Sequence, residues 1–246
     1  MRRGPGTARG WLGWDNNLQQ TVELYTDVVR GTESGPASVD GLVTNVSNYT
    51  PTTEPFLPDP DATVGGQQVK GGRFYEYNPN FDEATFTTAV RRELLAQGRP
   101  ESTGMLIDTS RNGWNGEDRP TAQSTSTDVD TYVDESKTDR RAHRGLWCNV
   151  SGAGLGAPPQ AAPAAGLDAY VWGKPPGESD GASEDIDNEE GKQPDPMCDP
   201  DYSDPESGGN KTGALPDAPL AGHWFHDQFA MLVKNADPGI TDPAAD

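Results

Sequence analysis

The sequence predicts an α/β fold with a mostly parallel sheet, and three features of the chain indicate this class. Short apolar segments that end in a polar residue are typical of buried strands, and segments with helical spacing of apolar residues lie between and around them. Strands and helices therefore alternate along the chain, as they do around a parallel sheet. We predict one domain in the 246 residues, because apolar and aromatic residues return after each long irregular stretch.

Three segments are predicted to be the buried strands. They are residues 41–45 (GLVTN), 104–108 (GMLID) and 169–174 (AYVWGK). The polar residues that end them are Asn45, Asp108 and Lys174. Barrel enzymes keep their active sites at the carboxyl ends of parallel strands, so we expect these side chains to lie at or near a site.

Three helices are predicted from apolar residues that recur at helical spacing. The apolar positions are Leu18, Val22, Tyr25 and Val29 in the first helix, Phe86, Val90 and Leu94 in the second, and Phe225, Phe229, Leu232 and Val233 in the third. Asn16 or Asn17 is available to cap the first helix. Asp82 precedes the second helix and Gly98 stops it, and the third ends before Pro238.

Three long stretches are predicted to be irregular: residues 50–80, 113–145 and 181–220. Connections of this length inside a compact domain are usually functional loops or disordered segments. The last stretch is rich in Asp, Glu, Pro and Gly.

The charge balance argues against a nucleic acid partner, and the apolar pattern argues against a membrane partner. The formal net charge is -20, because 39 Asp and Glu residues outnumber 19 Lys and Arg residues. Such a chain repels phosphate groups, so we expect no nucleic acid partner. No run of about 18 apolar residues occurs, so we expect no transmembrane helix and no membrane partner. The basic first ten residues lead into GWLGWDNN rather than an apolar stretch, and no signal peptide is predicted.

Neither the cysteines nor the histidines predict a metal site. Cys148 and Cys198 are the only cysteines, and neither belongs to a CxxC pair. Their positions alone leave two free thiols or a disulfide open. His223 and His226 are three residues apart without a third ligand pattern, and we interpret them as surface or core histidines. No metal and no cofactor is expected.

The six tryptophans fall into two groups. Trp11, Trp14, Trp114 and Trp147 lie beside glycines or in turn-like contexts, whereas Trp172 and Trp224 have contexts that favour core packing. An exposed indole offers a flat apolar face that matches the C–H face of a pyranose ring. We therefore predict that Trp11, Trp14 and Trp147 stack on sugar rings.

The densest cluster of charged residues is in segment 174–181 (KPPGESDG), directly after a predicted strand. Two prolines stiffen this turn and two glycines allow a tight backbone, so Lys174, Glu178 and Asp180 are predicted to project as a fixed group. The alternative is a solvated charged turn. In a glycoside hydrolase one carboxylate protonates the leaving oxygen and a second activates water or attacks the sugar. Asp180 is the candidate for the second carboxylate, with Lys174 holding it ionised.

Two alternatives to this assignment concern neighbouring motifs. Asp108 also ends a strand, but Ser110, Arg111 and Asn112 beside it are suited to holding it as a structural hydrogen-bond acceptor. Residues 177–181 (GESDG) fit the G-x-S-x-G elbow of serine esterases, with Asp199 and His223 following in the expected order. An elbow needs a helix directly after the serine, and the acidic ASEDIDNEEG that follows has little helical periodicity, so the esterase is a minor alternative.

Seven segments of the chain resemble glycoside hydrolase family 6, the inverting cellobiohydrolases and endoglucanases that cut β-1,4-glucan. They are GWLGWDNN, LVTNVSNY, GMLIDTSRNGW, RGLWCNVSGAGLG, YVWGKPPGESDG, DPMCDP and TGALPDAPLAGHWFHDQF. The resemblance divides the chain into an unmatched segment 1–10, a partial catalytic domain 11–238 and a tail 239–246. It implies a distorted parallel β/α barrel that acts outside the cell, as a monomer, on cellulose or another β-1,4-glucan.

The resemblance also implies roles for the residues of the charged turn. Asp180 corresponds to the proposed general base, although in this family the base can act on water indirectly. Lys174 and Glu178 correspond to residues that bind the glucosyl units before the scissile bond. Asn45 corresponds to a polar substrate contact.

The resemblance also implies sugar-stacking platforms among the tryptophans and a disulfide between the two cysteines. Trp147 corresponds to a stacking platform before the scissile bond, and Trp11 and Trp14 to platforms on the leaving-group side. Cys148 and Cys198 correspond to a family disulfide.

The chain departs from the family pattern at its beginning. Family members carry the general acid upstream of the W-L-G-W string, whereas only ten residues precede Trp11 here and none is acidic. We therefore expect an N-terminally incomplete barrel and impaired hydrolysis by this chain alone. The alternative is a non-catalytic, glucan-binding remnant of such an enzyme.

Overall fold

A four-stranded sheet is the centre of the fold in the computed structural model, which describes residues 13–240. The strands of the molecule are β1 (Gly41–Thr44), β2 (Thr63–Val64), β3 (Gln67–Gln68), β4 (Gly104–Asp108), β5 (Gln160–Ala164), β6 (Leu167–Val171), β7 (Ser203–Asp204) and β8 (Asn210–Lys211). The large sheet has the order β1-β4-β6-β5. Its first three strands are parallel, and β5 runs antiparallel to β6.

All three predicted strands are present, and the α/β class is confirmed. The third strand ends at Val171, so Lys174 lies three residues beyond the strand rather than on it. The strand β5 was not predicted. It forms because the chain turns back at Gly166, whose positive φ of 76° suits a tight connection to β6.

Four α-helices accompany the sheet in the described part of the chain. They are α1 (Asp15–Arg30), α2 (Glu83–Ala96), α3 (Val129–Ser136) and α4 (His226–Lys234), and none of them is long and apolar enough to cross a membrane. The predicted cap of α1 is wrong. Its N-cap is Trp14, whose carbonyl accepts from the N–H of Leu18, so the first turn already contains both asparagines. Asp82 caps α2 as predicted, by accepting from the N–H of Thr85.

One face of the parallel strands packs against α1 and α2. The buried apolar residues of this core are Leu18, Val22, Ala89, Val90, Leu94, Met105, Ile107 and Leu167. The apolar residues of α1 and α2 recur at helical spacing, so they form one apolar face on each helix. These faces contact every second residue of the strands. This layer supports the strands from which the site loops leave.

The opposite face of the sheet is open among residues 13–240. Val43, Leu106 and Ala169 are neighbours in register across β1, β4 and β6, and they alternate with residues that face the helices. Val43 is 45% exposed, and the other two are partly exposed. Parallel sheets are normally covered on both faces. The strand β1 also has a neighbour on one side only within the described chain.

The three long stretches are mostly irregular, as predicted, but they are packed rather than loose. They contain α3 and the small hairpins β2–β3 and β7–β8, none of which was predicted. Each stretch has its own buried residues: Leu57, Phe74 and Tyr75 in the first, Trp114, Tyr132 and Val133 in the second, and Met197 and Cys198 in the third. The loops can therefore hold side chains at fixed positions.

Candidate active site at the carboxyl edge of the parallel strands

The carboxyl ends of β1, β4 and β6 meet at one edge of the sheet, and polar side chains join them. Asn45 follows β1, and its Nδ2 donates to the carbonyl of Asp108 at 3.0 Å and to that of Thr50 at 3.1 Å. Its Oδ1 is buried without a hydrogen-bond partner among the described residues. Asn45 thus ties two strand ends together and still has a free acceptor at this edge.

Asp108 is buried and fully engaged by backbone groups. Its Oδ1 accepts from the N–H of Ser110 at 3.0 Å, and its Oδ2 accepts from the N–H of Lys174 at 2.8 Å. These hydrogen bonds agree with the predicted role of Asp108 as a structural acceptor. Two of the three neighbours expected to hold Asp108 bond to other groups. Arg111 bonds to Asp180 instead, and Asn112 donates to Thr50 and Thr52.

The turn from Lys174 to Asp180 is held by the segment that precedes α4. Ser179 N–H donates to the carbonyl of His223 at 2.9 Å, and Phe225 N–H donates to that of Gly177 at 2.7 Å. Gly177 has φ 84°, and a Cβ at this position would lie 2.5 Å from the ring of Trp224. Only glycine fits here, which fixes the path of the turn. The Asp180 side chain is 3% exposed, so the alternative of a solvated turn is wrong.

Arg111 is the closest cation to Asp180. Its Nη1 lies 2.8 Å from Oδ1 and 2.9 Å from Oδ2 of Asp180, and its side chain is 0% exposed. Burial lowers the pKa of Arg111, whereas the charge of Asp180 and its hydrogen bonds raise it, and the pKa is raised overall. The guanidinium therefore stays charged and forms a buried ion pair with Asp180.

Lys174 lies farther from Asp180 than the sequence suggested. Its Nζ is 3.5 Å from Asp180 Oδ1 and 2.6 Å from Glu178 Oε1. The cluster contains two cations and two carboxylates, so their formal charges cancel. They are Arg111, Lys174, Glu178 and Asp180. Glu178 is the most exposed of them, with 34% of its side chain accessible, and it faces the open side of the site. The closer cation partner of Asp180 is therefore Arg111 rather than Lys174.

Asn149 braces the backbone and the side chain of Asp180. Its N–H donates to Asp180 Oδ2 at 2.9 Å, and its Oδ1 accepts from the N–H of Asp180 at 2.8 Å. The preceding residue, Cys148, is bonded to Cys198, so the disulfide that the resemblance implied is confirmed. A Cβ on Gly181 would lie 2.8 Å from the Cys198 sulfur. The disulfide thus packs directly under the end of the charged turn.

The tryptophans predicted as platforms occupy different environments. Trp147 is partly buried against Leu146, Met197 and the disulfide. Trp14 is partly exposed, and its indole N–H donates to the carbonyl of Glu76 at 2.9 Å. Trp11 lies outside the described residues.

The expectation that Trp172 and Trp224 pack in the core is wrong. Trp172 follows β6 at the sheet edge, is 36% exposed, and donates its indole N–H to the carbonyl of Ala157. Trp224 lies over Gly177 and packs one side of its ring near Phe229, which leaves 59% of the residue exposed. Trp114 is the buried one instead, with its indole N–H donated to the carbonyl of Tyr49 at 2.8 Å.

The geometry does not support the esterase alternative. Ser179 is buried, and its hydroxyl donates to the carbonyl of Pro219 at 2.8 Å. His223 pairs with Glu190 at 2.7 Å rather than with the serine. Within residues 13–240, no group of three or more His, Cys, Asp or Glu side chains is arranged to hold a metal ion.

Sequence reasoning missed Arg111, Asn149 and Tyr49 as partners of Asp180. Arg111 and Asp180 are 69 residues apart, and Tyr49 and Asp180 are 131 residues apart. No spacing pattern joins residues at such separations. The one available signal was that Arg111 follows the end of a strand parallel to β6.

A buried charged cluster at the carboxyl edge of parallel strands is typical of α/β enzymes. The sequence model of the glycosyl hydrolases family 6 matches residues 6–236, and the chain belongs to this family.

Individual relatives agree with this assignment. Exoglucanase A of Cellulomonas fimi is 52% identical to this chain, in an alignment that covers 96% of this chain and 28% of that protein. The 1,4-beta-D-glucan cellobiohydrolase CEL6A of Pyricularia oryzae is 33% identical over 96% of this chain and 38% of its own length.

Solved structures show the same fold. The catalytic domain of Cellulomonas fimi Cel6B superposes with a TM-score of 0.92 and 51% identity, over 96% of this chain and 54% of that domain. A mutant of cellobiohydrolase Cel6A from Humicola insolens, solved in complex with a cellobio-derived isofagomine, gives a TM-score of 0.63 with 28% identity, over 94% of this chain and 49% of that one. The chain thus spans about half the length of these solved structures.

Proposed function

We propose that this chain supplies the water-activating side of an active site that hydrolyses β-1,4-glucosidic bonds in cellulose or a related glucan with inversion. The observation that carries the proposal is the buried Asp180, which is ion-paired with Arg111 and lies beside Lys174 and Glu178 in a family 6 chain. The names of the relatives, an exoglucanase and a 1,4-beta-D-glucan cellobiohydrolase, support a glucan substrate.

Asp180 is the proposed base of the reaction. Inverting hydrolysis needs a carboxylate that takes a proton from water on the face opposite the leaving group. Arg111 is the ion-pair partner of Asp180, and the carboxylate oxygen closer to Lys174 is proposed to contact water, directly or through an intervening water. Lys174 and Glu178 are proposed to bind sugar hydroxyls next to it, because Glu178 is the most exposed group of the cluster and Lys174 pairs with it at 2.6 Å.

Sugar rings are proposed to stack on three tryptophans, Trp11, Trp14 and Trp147. Trp147 lies one residue from the disulfide and two residues before Asn149, the brace of Asp180. That position suits a ring bound next to the base. Asn45 is proposed to contribute a polar substrate contact at the same edge, where it joins the ends of β1 and β4.

The general acid is proposed to come from the part of a family 6 catalytic domain that this chain does not match. The same part would add strands beside β1 and complete the distorted barrel, with residues 11–238 as this chain's contribution. By itself, the 246-residue chain would then hydrolyse glucan poorly. The competing proposal, a non-catalytic glucan-binding remnant, keeps the tryptophans and dispenses with the acid.

The proposed setting is extracellular, with a monomeric protein. The disulfide between Cys148 and Cys198 supports an oxidising compartment.

A chimera tests the function. The chimera, which we call the completed domain, carries the present sequence in place of the matching segment of the Cellulomonas fimi Cel6B catalytic domain. We expect it to hydrolyse cellotetraose and to release a product of inverted anomeric configuration, observable by proton NMR. Asp180→Asn in the completed domain should abolish hydrolysis while binding to amorphous cellulose remains. A folded completed domain that binds cellulose without hydrolysing it would favour the remnant, and retained configuration would refute the proposed mechanism.

A further inference from the structure

Tyr49 contacts both members of the Asp180–Arg111 ion pair. We propose that Tyr49 is a positioning residue of the site, which fixes the orientation of the Asp180 carboxylate through its hydroxyl group and the place of Arg111 through its ring. The proposal rests on the proposed function, because it assigns Asp180 a role in the reaction.

Tyr49 is itself rigidly held in the loop that follows β1. The residue is 0% exposed, and its carbonyl accepts the indole N–H of Trp114 at 2.8 Å. Its N–H donates to Oδ1 of Asn48 at 2.8 Å. The backbone N–H and C=O of Tyr49 are therefore both hydrogen-bonded, and the side chain is enclosed by the protein.

The direction of the hydroxyl proton follows from its neighbours. The Tyr49 oxygen lies 2.9 Å from Asp180 Oδ2 and 3.3 Å from the backbone nitrogen of Val150. The backbone N–H of Val150 can only donate, so the hydroxyl accepts from it and directs its own proton at the carboxylate. Burial raises the pKa of Tyr49 well above its ordinary value, so the hydroxyl stays protonated and remains a donor.

The ring of Tyr49 holds the other half of the ion pair. The guanidinium carbon of Arg111 lies 4.3 Å from the ring centroid, within the range of a cation–π contact. The Nε and one terminal nitrogen of Arg111 are buried without hydrogen-bond partners among residues 13–240. The aromatic face is therefore a main source of stabilisation for this part of the guanidinium.

These contacts distinguish the two oxygens of Asp180. Oδ2 receives Tyr49, the N–H of Asn149 and Arg111, whereas Oδ1 receives Arg111 and lies 3.5 Å from Lys174. Three donors occupy Oδ2, so Oδ1 is the oxygen left for water. Without the Tyr49 hydroxyl, the carboxylate loses one of the donors that keep Oδ1 turned toward Lys174.

Tyr49→Phe in the completed domain tests the proposal, because it removes the hydroxyl and keeps the ring over Arg111. We expect kcat on cellotetraose to fall about 10- to 100-fold with KM nearly unchanged, as for loss of one hydrogen bond to a charged group. The matched control is Tyr75→Phe. Tyr75 is also buried under a guanidinium, that of Arg144 at 5.4 Å, but its hydroxyl has no partner in the described chain. The kcat of the Tyr75→Phe variant should stay within about twofold of the parent value.

A second measurement needs no activity and uses thermal unfolding of the 246-residue chain at low concentration. Tyr49→Phe should lower Tm by roughly 5 °C in the parent and by less than half of that in the Asp180→Asn background. Equal losses in both backgrounds, an unchanged kcat, or equal losses of kcat for the Tyr49 and Tyr75 variants would overturn the proposal. If the completed domain is inactive, the proposed function fails and the coupling in Tm alone decides whether Tyr49 holds Asp180.

Discussion

At the scale of single residues, the site depends on a buried ion pair. Asp180 and Arg111 are both excluded from solvent, and each compensates the other for lost hydration. Removal of either partner leaves an uncompensated charge in the interior. Substitutions of Asp180 therefore change the stability of the molecule as well as the proposed base. The stability of each Asp180 variant must be measured before its activity is interpreted.

Asp180→Ala is expected to destabilise the chain strongly, by about 3–5 kcal/mol, because it leaves the Arg111 charge unpaired. Asp180→Asn keeps the shape and one acceptor oxygen, and it should cost less. Urea unfolding of both variants measures the difference. Equal stability of the alanine variant and the parent would show that the ion pair contributes nothing to folding.

Glu83 gives a prediction for the dependence of stability on pH. Burial raises the pKa of Glu83 to about 7, against the lowering effects of Thr44 and Arg144. The folded state thus keeps a proton that the unfolded state releases near the ordinary glutamate pKa of 4.5, so Glu83 lowers stability as pH rises from about 4.5 to 7. Glu83→Gln should reduce this loss, measured as Tm against pH. Glu101→Gln, at an exposed position, is the control and should leave the profile unchanged.

At the scale of elements, two connections decide where the site residues lie. The disulfide closes a loop of 50 residues between the segment with Trp147 and the segment before β7. The other connection is the pairing of residues 177–179 with 223–225, which sets the charged turn against the start of α4. Both join segments that lie outside the four α-helices and the four-stranded sheet.

Cys148→Ser/Cys198→Ser is expected to lower the free energy of unfolding by about 4 kcal/mol in the chain-entropy description. The loss should also loosen Asn149, which follows Cys148 and braces Asp180. Denaturant unfolding checks the first effect. Thiol titration of denatured, unreduced protein from an oxidising host checks the bond itself, and two titratable thiols would contradict it.

Within residues 13–240, β1 is an open edge beside an uncovered apolar face, which predicts self-association at high concentration, although the protein is proposed to be a monomer. Exposed strand edges and uncovered apolar faces pair with other chains. Val43→Lys places a charge on this face and should reduce the concentration dependence of sedimentation. Val28→Lys makes the same change of charge at an exposed position on α1, and an equal effect there would argue against the edge as the contact.

At the scale of the whole molecule, the chain carries one side of the proposed site. It spans 54% of the Cel6B catalytic domain, and the face with Val43 and Leu106 is open in the part of the chain that the structure describes. We propose that further strands beside β1 would cover this face and bring the general acid to the same edge of the sheet.

The 246-residue chain alone is therefore expected to release little reducing sugar from amorphous cellulose. Loss of acid assistance lowers rates on the order of 100- to 10,000-fold. The completed domain is the positive control, and its Asp180→Asn variant gives the background. Turnover by the chain alone at the level of the completed domain would show that these residues contain a sufficient acid.

The sequence by itself determined the local features of this protein. Strands β1, β4 and β6 were predictable because short apolar runs end in polar residues, and α2 was predictable from its spacing and its Asp82 cap. The charged turn and the disulfide were predictable from short strings, since their residues are close in sequence or resemble family motifs. Strand β5 was missed because its alanine-rich segment shows no alternation of apolar and polar residues. The short helix α3 was missed inside a stretch predicted to be irregular, although Val129, Tyr132 and Val133 recur at helical spacing after the Asp128 cap.

Only the tertiary structure decided which residues contact Asp180. Arg111, Tyr49 and Asn149 come from loops after β1 and β4 and from the segment beside the disulfide, and they meet because parallel strands bring their carboxyl ends to one edge. Burial was likewise decided at this level, since Trp114 is covered by the loop that holds Tyr49, whereas Trp224 lies on the outside of the charged turn. Contacts between distant segments depend on how loops cross the sheet, and local spacing carries no information about that crossing.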